Sequence, residues 1–353
     1  MLNILNVVTK DKTYPIYIER GIISKSAEII KDLYSGKRIG IVSDSNVNGI
    51  YGDEFSKDLE NAGFEPFTVE VEPGEKSKSL SVYERVCTKL LEGGITRSDM
   101  IIALGGGVIG DLAGFAAATL LRGVRFIQVP TSLIAQIDSS VGGKVAVNLE
   151  IGKNLIGNFY QPEAVIIDPN VLSTLEDRFF SDGMAEVIKY ACIKDRELFE
   201  KLEKLNIDSV KECMDYIIMT CCSIKRDIVQ IDEKDKGERM LLNFGHTFGH
   251  VVEKYFGYSK YTHGEGVGLG MVHMTRKGEN MDIVAPGTSD RIQGLLERYN
   301  LPVEYPQMES KVVEDTLRLD KKSSSNDINL IMIEAIGKGY IKKIRKNNLK
   351  QFI

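Results

Sequence analysis

Short apolar runs separated by amphipathic stretches fill roughly the first 170 residues of the chain. Residues 39–42 are apolar and run into Ser43-Asp44-Ser45-Asn46, which predicts a strand and a polar loop. Residues 51–62 repeat apolar positions at a helical period, and 67–71 form the next apolar run. Pro73-Gly74-Glu75-Lys76-Ser77-Lys78 predicts a loop before a helix over 80–91. Residues 100–104 are wholly apolar and lead straight into Gly105-Gly106-Gly107, the pattern of a buried strand turning into a helix. Two further strands are predicted at 126–130 and 164–168. Strands alternating with helices predict a parallel sheet covered by helices.

Beyond about residue 172 a helical period dominates, over 180–192, 196–205, 210–229, 240–255, 266–278 and 291–299. A β-hairpin is expected over 328–334 and 340–344, turning at Gly337-Lys338-Gly339. The Ser-rich stretch 321–327 is expected to be mobile. The expected fold class is therefore α/β: a parallel-sheet, Rossmann-like domain over 1–170, then a mainly α-helical domain over 171–353.

A length of 353 residues agrees with two domains. With 43% hydrophobic and 27% charged residues the chain reads as soluble and globular. A net charge of −5 gives no general attraction to nucleic acid or an anionic membrane, so an anionic ligand needs a local cluster of Lys and Arg. The cysteines, Cys87, Cys192, Cys213, Cys221 and Cys222, are odd in number and form no C-x-x-C pair, which argues against disulfides and a cysteine zinc site. Neither a secretory leader nor an apolar run of membrane-spanning length is present, and a cytoplasmic location is expected.

Three of the four histidines lie close together, His246, His250 and His263. On a helix His246 and His250 share a face, and Asn243 and Arg239 continue the same stripe toward the N-terminus. Two imidazoles and an amide among Leu241, Leu242, Phe244 and Phe248 suit a helix lining a site better than a solvated face, and neutral imidazole is a common ligand for zinc-like ions. Glu186 is a candidate third ligand. A carboxylate with two histidines leaves open positions on the metal, as catalytic sites do. Glu186 and Lys189, three apart on a predicted helix, also fit an ordinary surface pair.

The string Gly105-Gly106-Gly107-Val108-Ile109-Gly110-Asp111 opens a helix after a strand, where backbone N–H groups approach a diphosphate. A nicotinamide dinucleotide in a variant mode is the reading, against a turn needing glycine for packing alone. Gly142-Gly143-Lys144 and Gly152-Lys153-Asn154 set ammonium groups in what reads as flexible loop, near Asp138, and suit an anion without matching a P-loop.

Together these motifs, with Arg122-Gly123-Val124-Arg125, residues 130–144 and Asp320-Lys321-Lys322, resemble the 3-dehydroquinate synthases of the shikimate pathway, from about Ser43 to Glu334 and in intact order. The resemblance implies zinc, with cobalt able to replace it, held by Glu186, His246 and His263. It implies NAD in the crevice between the domains, contacted by Asp44, Asn46, Glu75, Lys78, Gly106, Gly107, Asp111, Thr131, Ser132, Asp138 and Lys153, with Val108, Ile109, Gly110 and Lys144 in the same segments. The implied substrate, 3-deoxy-arabino-heptulosonate 7-phosphate, explains a cationic cluster in an acidic protein. Lys144, Asn154, Asn243 and one of Lys321 or Lys322 are implied to hold its phosphate. Lys189, Lys225, Arg239 and His250 would surround the rest, Lys153 would join them in stabilising charge, and Arg122 would reach the neighbouring subunit's site in a homodimer. Ser132 stands where many members carry Thr and keeps the hydroxyl. The rival readings are another sugar-phosphate cyclase, a metal-dependent polyol dehydrogenase and a non-catalytic nucleotide- or metal-binding protein.

Overall fold

The structure, a computed structural model, describes residues 2–320 and 327–353. The chain forms two compact units. One runs to Leu175 and includes Cys221–Lys234, and the other comprises Glu176–Thr220 and the chain from Asp235 onward.

The first unit is built on a seven-stranded sheet in the order β1-β2-β9-β6-β5-β3-β4. Its strands are β1 (Asn3–Val8), β2 (Thr13–Ile18), β3 (Arg38–Asp44), β4 (Glu65–Val71), β5 (Met100–Gly105), β6 (Arg125–Pro130) and β9 (Ala164–Ile167). β1 and β2 form an antiparallel hairpin that the hydrophobic pattern does not announce, and the remaining pairings are parallel. Alternation along β5 sends Ile101 and Ala103 to one face and Met100, Ile102 and Leu104 to the other. Burial on both faces makes this strand continuously apolar. Helices α1 (Ser26–Leu33) and α2 (Asp53–Asn61) supply one covering layer, α3 (Leu80–Glu92) and α4 (Gly107–Thr119) the other.

From β3 the chain crosses to β4 on one side, and from β5 to β6 on the other. The strand order therefore reverses between β3 and β5, whose ends are Asp44 and Gly105, and open α/β sheets bind ligands at such points. A second hairpin, β7 (Lys144–Leu149) and β8 (Gly152–Phe159), carries Lys144 and Lys153 on strands where the sequence suggests flexible loop. No residue of β8 is buried, so no burial pattern marks it in the sequence.

The second unit is mainly helical: α5 (Asp177–Lys194), α6 (Arg196–Leu202), α8 (His246–Tyr255), α9 (His263–Asn280), α10 (Thr288–Arg298) and α11 (Ser310–Asp320), with the hairpin β10 (Asp327–Ala335) and β11 (Lys338–Arg345). Helix α7 (Met214–Ile231) starts in this unit, and the segment from Cys221 returns to the first, where Lys225 pairs with Asp138 and the Cys222 thiol donates to the Gln136 carbonyl at 3.3 Å. Such side-chain pairing is invisible to a single cut near residue 170.

A single helix over 240–255 is not formed. Glu238–Asn243 is a 3₁₀ turn, Phe244 is extended and Gly245 has φ +80°, so α8 begins at His246. The positive φ needs glycine. Arg239 and Asn243 consequently leave the stripe of His246 and His250. Glycine also lets α8 and α9 touch backbone to backbone. A β-carbon on Gly249 would lie 2.7 Å from the Gly266 carbonyl oxygen, and one on Gly270 would collide with that of Gly245. Among the described residues no helix is long and apolar enough to cross a membrane.

Candidate active site

Helix α5 places Asp182, Glu186 and Lys189 on one buried face. Glu186 is fully buried: Oε2 accepts from the Lys189 ammonium, and Oε1 has no hydrogen-bond partner among the described residues. That oxygen lies 3.6 Å from His246 Nε2 and 3.7 Å from His263 Nε2. A buried, unpartnered carboxylate oxygen is costly, at about 1–3 kcal/mol or more for a charged group. The three donors lie within 4.8 Å of one another, and a divalent cation would satisfy all of them.

The protonation states fit that use in part. His246 Nδ1 lies 3.2 Å from the Phe244 carbonyl, which accepts its N–H and leaves Nε2 as the lone-pair nitrogen. Burial, reinforced by Lys189, His263 and His250, holds His246 well below the ordinary histidine pKa, so it is neutral near pH 7. For His263 burial acts downward, but the hydrogen bond and charge of Glu253, with Glu186 and Asp182, raise the pKa to about 9. A cation at Nε2 must displace that second proton. His250 stands beside both ligands, with ring centroids 5.4 Å from His246 and 5.9 Å from His263.

Two carboxylates that the sequence reading did not single out frame the group. Asp182 accepts from the amides of Gly264 (2.5 Å) and Glu265 (3.2 Å) and so ties the first turn of α9, where His263 sits, to the helix of Glu186. Glu253, buried on α8, accepts from His263 Nδ1 at 3.0 Å. The only signal in sequence is spacing: Asp182 is four before Glu186, and Glu253 three after His250.

In the first unit Gly106 caps α4 without side-chain help, and no acidic residue occupies the first turn. The Gly110 amide is committed to the Gly106 carbonyl at 3.0 Å, which leaves the amides of Gly107, Val108 and Ile109 as the first-turn donors. The buried Ser132 and Ser139 hydroxyls have no hydrogen-bond partner among the described residues. β-Carbons on Gly106 and Gly107 would stand 3.4 and 3.0 Å from these oxygens, so glycine keeps the cradle open. Orphan amides, orphan hydroxyls and a helix N-terminus fit a diphosphate.

Charged groups surround this cradle. Lys78 pairs with Asp111 and donates to Asn154 Oδ1. Burial pushes the Asp111 carboxyl upward against the pull of Lys78. Glu75 accepts from Asn148 at 2.7 Å, and Asp44 caps the turn after β3 by accepting from the amides of Asn46 and Val47 at 3.0 and 3.1 Å. Thr131 donates its amide to the Gly105 carbonyl at 3.0 Å. Asp138 receives Lys225, and Asn154 adopts φ +56°. Lys144 and Lys153 lie on the β7–β8 hairpin, and exposed Arg122 sits in the left-handed turn Leu121-Arg122-Gly123 (φ +52°, +70° and +125°). Arg239 is buried on the 3₁₀ turn that also carries Asn243. Lys321 and Lys322 lie outside the described residues.

Two family definitions match the chain: "3-dehydroquinate synthase N-terminal" over residues 68–182 and "3-dehydroquinate synthase C-terminal" over 183–323. The 3-dehydroquinate synthase of Clostridium kluyveri is 50% identical over 350 residues, covering 99% of this chain and 98% of its own. Among solved structures, 2-deoxy-scyllo-inosose synthase complexed with carbaglucose-6-phosphate, NAD+ and Co2+ superposes with a TM-score of 0.87 at 24% identity, covering 99% of this chain and 98% of that one. The 2-epi-5-epi-valiolone synthase of Streptomyces hygroscopicus, with NAD+ and Zn2+ bound, gives 0.89 at 24% identity over 98% and 97% of the two chains.

Proposed function

The chain belongs to the 3-dehydroquinate synthase family and is read with that activity, and from this premise we propose how its own residues serve the reaction. The substrate is 3-deoxy-D-arabino-heptulosonate 7-phosphate and the products are 3-dehydroquinate and phosphate, which makes the enzyme a phosphate-eliminating carbon–oxygen lyase. Its resident cofactors are NAD and one divalent metal, zinc or cobalt. The observation that carries the metal assignment is the unpartnered Glu186 Oε1 facing two imidazole Nε2 atoms. Neighbours of the same fold that carry NAD+ with Co2+ or Zn2+ support the pair.

When bound, NAD supplies reversible hydride exchange and the metal a Lewis acid at the reacting hydroxyl. Glu186, His246 and His263 would hold the metal. The first-turn amides of α4, with Ser132 and Thr131, hold the dinucleotide's diphosphate, and Asp44, Asn46, Glu75, Lys78, Asp111, Asp138 and Lys153 line the remainder. Lys144, Asn154 and Asn243 bind the substrate phosphate, together with Arg122 of a second copy in a homodimer and one of Lys321 or Lys322. Held there, the phosphate's own oxygen would take the proton from the carbon next to the one that bears it, and the C–O bond to phosphate would break as a carbon–carbon double bond forms. Lys153, Lys189 and Lys225 stabilise negative charge that develops along the way. Arg239 pairs with the substrate carboxylate, for which a guanidinium has the matching geometry. His250 relays protons beside the metal. Ring opening and an intramolecular aldol step close the carbocycle, with no net oxidation.

Comparison of two substrates tests the assignment. Phosphate release from the heptulosonate 7-phosphate, with little from a hexose 6-phosphate lacking the carboxylate, is the expected result. The reverse preference would place the chain's chemistry with the carboxylate-free cyclases.

A further inference from the structure

We propose that Glu253 is a positioning residue: it holds His263 in the Nδ1–H form and so commits the cation to Glu186, His246 and His263. This rests on the metal reading above and goes beyond it, because the described residues offer two overlapping donor sets. The second is His250, Glu253 and His263, and both sets use His263.

The two nitrogens of that ring face different carboxylates. Nε2 lies 3.7 Å from Glu186 Oε1, and Nδ1 lies 3.0 Å from Glu253 Oε1. The shorter separation is a hydrogen bond, the longer one is not. Nδ1 therefore carries the proton toward Glu253, and Nε2 is the atom available to an ion. Occupation of the second set would require Nδ1 to lose its proton and Glu253 to exchange that hydrogen bond for a metal bond.

Packing keeps Glu253 in this role. Its side chain is 2% exposed, so it cannot swing out to water. A β-carbon on Gly266 would stand 3.2 Å from Glu253 Cγ, which shows how closely α9 covers it. Asp182, accepting from the Gly264 and Glu265 amides, fixes the backbone next to the ring. Outer carboxylates of this kind orient a ligating histidine and raise its basicity, and their loss typically weakens metal affinity by about 10- to 100-fold.

The test uses the full-length enzyme, zinc affinity by chelator competition and the Co2+ absorption spectrum. Glu253→Ala should weaken zinc about 10- to 100-fold with an unchanged cobalt ligand count, while Glu253→Gln, which keeps an acceptor oxygen, should recover most of it. His250→Ala should leave zinc affinity unchanged, and Glu186→Ala should abolish it. Wild-type affinity in Glu253→Ala, with Glu186→Ala inactive in binding, overturns the inference and leaves the metal reading standing. Retained affinity in Glu186→Ala, with loss in both His250→Ala and Glu253→Ala, overturns the metal reading itself. Should Glu253→Ala fail to fold, nitrogen-15 NMR of the zinc-loaded wild type decides. A protonated Nδ1 with metal-shifted Nε2 on His263 supports the inference, and a protonated Nε2 contradicts it.

Discussion

Lys189 and Glu186 meet one turn apart on α5 as an ion pair whose side chains are 1% and 0% exposed. Burying two charges is costly, and removing one partner alone leaves the other uncompensated, at about 3–5 kcal/mol. Lys189→Met should therefore lower the melting temperature of the metal-free protein sharply. A divalent cation on Glu186 neutralises the same carboxylate, so zinc should restore more stability to the variant than to the wild type. Calorimetry with and without zinc reads both quantities, and a variant as stable as wild type without metal contradicts the reading.

His273 supplies a pH dependence away from the chemistry. Its ring lies between Phe248 and Tyr305, with centroids at 4.5 and 4.3 Å, and Nε2–H donates to the Phe352 carbonyl at 2.7 Å. Burial lowers its pKa from 6.5 to about 4; the Phe352 carbonyl opposes this, and Lys277 and Arg276 add to it. The folded value lies below the unfolded one, so this stability is complete above pH 6.5 and is lost as pH falls toward about 4. In that window the group costs up to about 1.4 kcal/mol per pH unit. Denaturant titrations of His273→Gln should show a flatter dependence over the same range, and an unchanged slope would assign it elsewhere.

Of two helical glycines, Gly249 sits in the close contact between α8 and α9 and Gly294 faces open space, so they should respond oppositely to an added methyl group. On Gly249 a methyl group meets Gly266 backbone, which cannot yield without parting the helices that carry His246 and His263. Gly249→Ala should cost about 1–3 kcal/mol and weaken zinc binding with it. Gly294, on α10, has nothing within 4 Å of an added β-carbon, and Gly294→Ala should gain about 0.5–1 kcal/mol. Melting temperatures moving the same way in both variants would contradict this packing.

What the sequence reveals of the fold follows from where burial is one-sided or complete. Met100–Gly105 is buried on both faces, so its apolar run is unmistakable, and the glycines after it mark the turn into α4. By contrast no residue of β8 is buried, and its apolar residues, Leu155, Ile156 and Phe159, do not alternate, so its pairing with β7 leaves no hydrophobic period to read. The break before His246 is hidden for the opposite reason: Leu241, Leu242, Phe244 and Phe248 are all buried, so the apolar period runs on through a residue with positive φ. In the candidate site, histidines clustered in sequence also cluster in space, because α8 and α9 are joined by a short connection. Asp182 and Glu253 stay illegible, since one acts through backbone amides 82 residues away and the other through a ring on the next helix.

Cyclase chemistry is tested most directly by following phosphate release from 3-deoxy-D-arabino-heptulosonate 7-phosphate by the zinc-loaded enzyme with NAD far below substrate. Absorbance at about 340 nm, where reduced nicotinamide absorbs, is recorded in parallel. Many phosphates released per NAD, with no accumulation of NADH, is the expected result, because the hydride is returned within each turnover. Absence of phosphate, with NADH accumulating on simple polyols, would make the protein a dehydrogenase and contradict the cyclase reading.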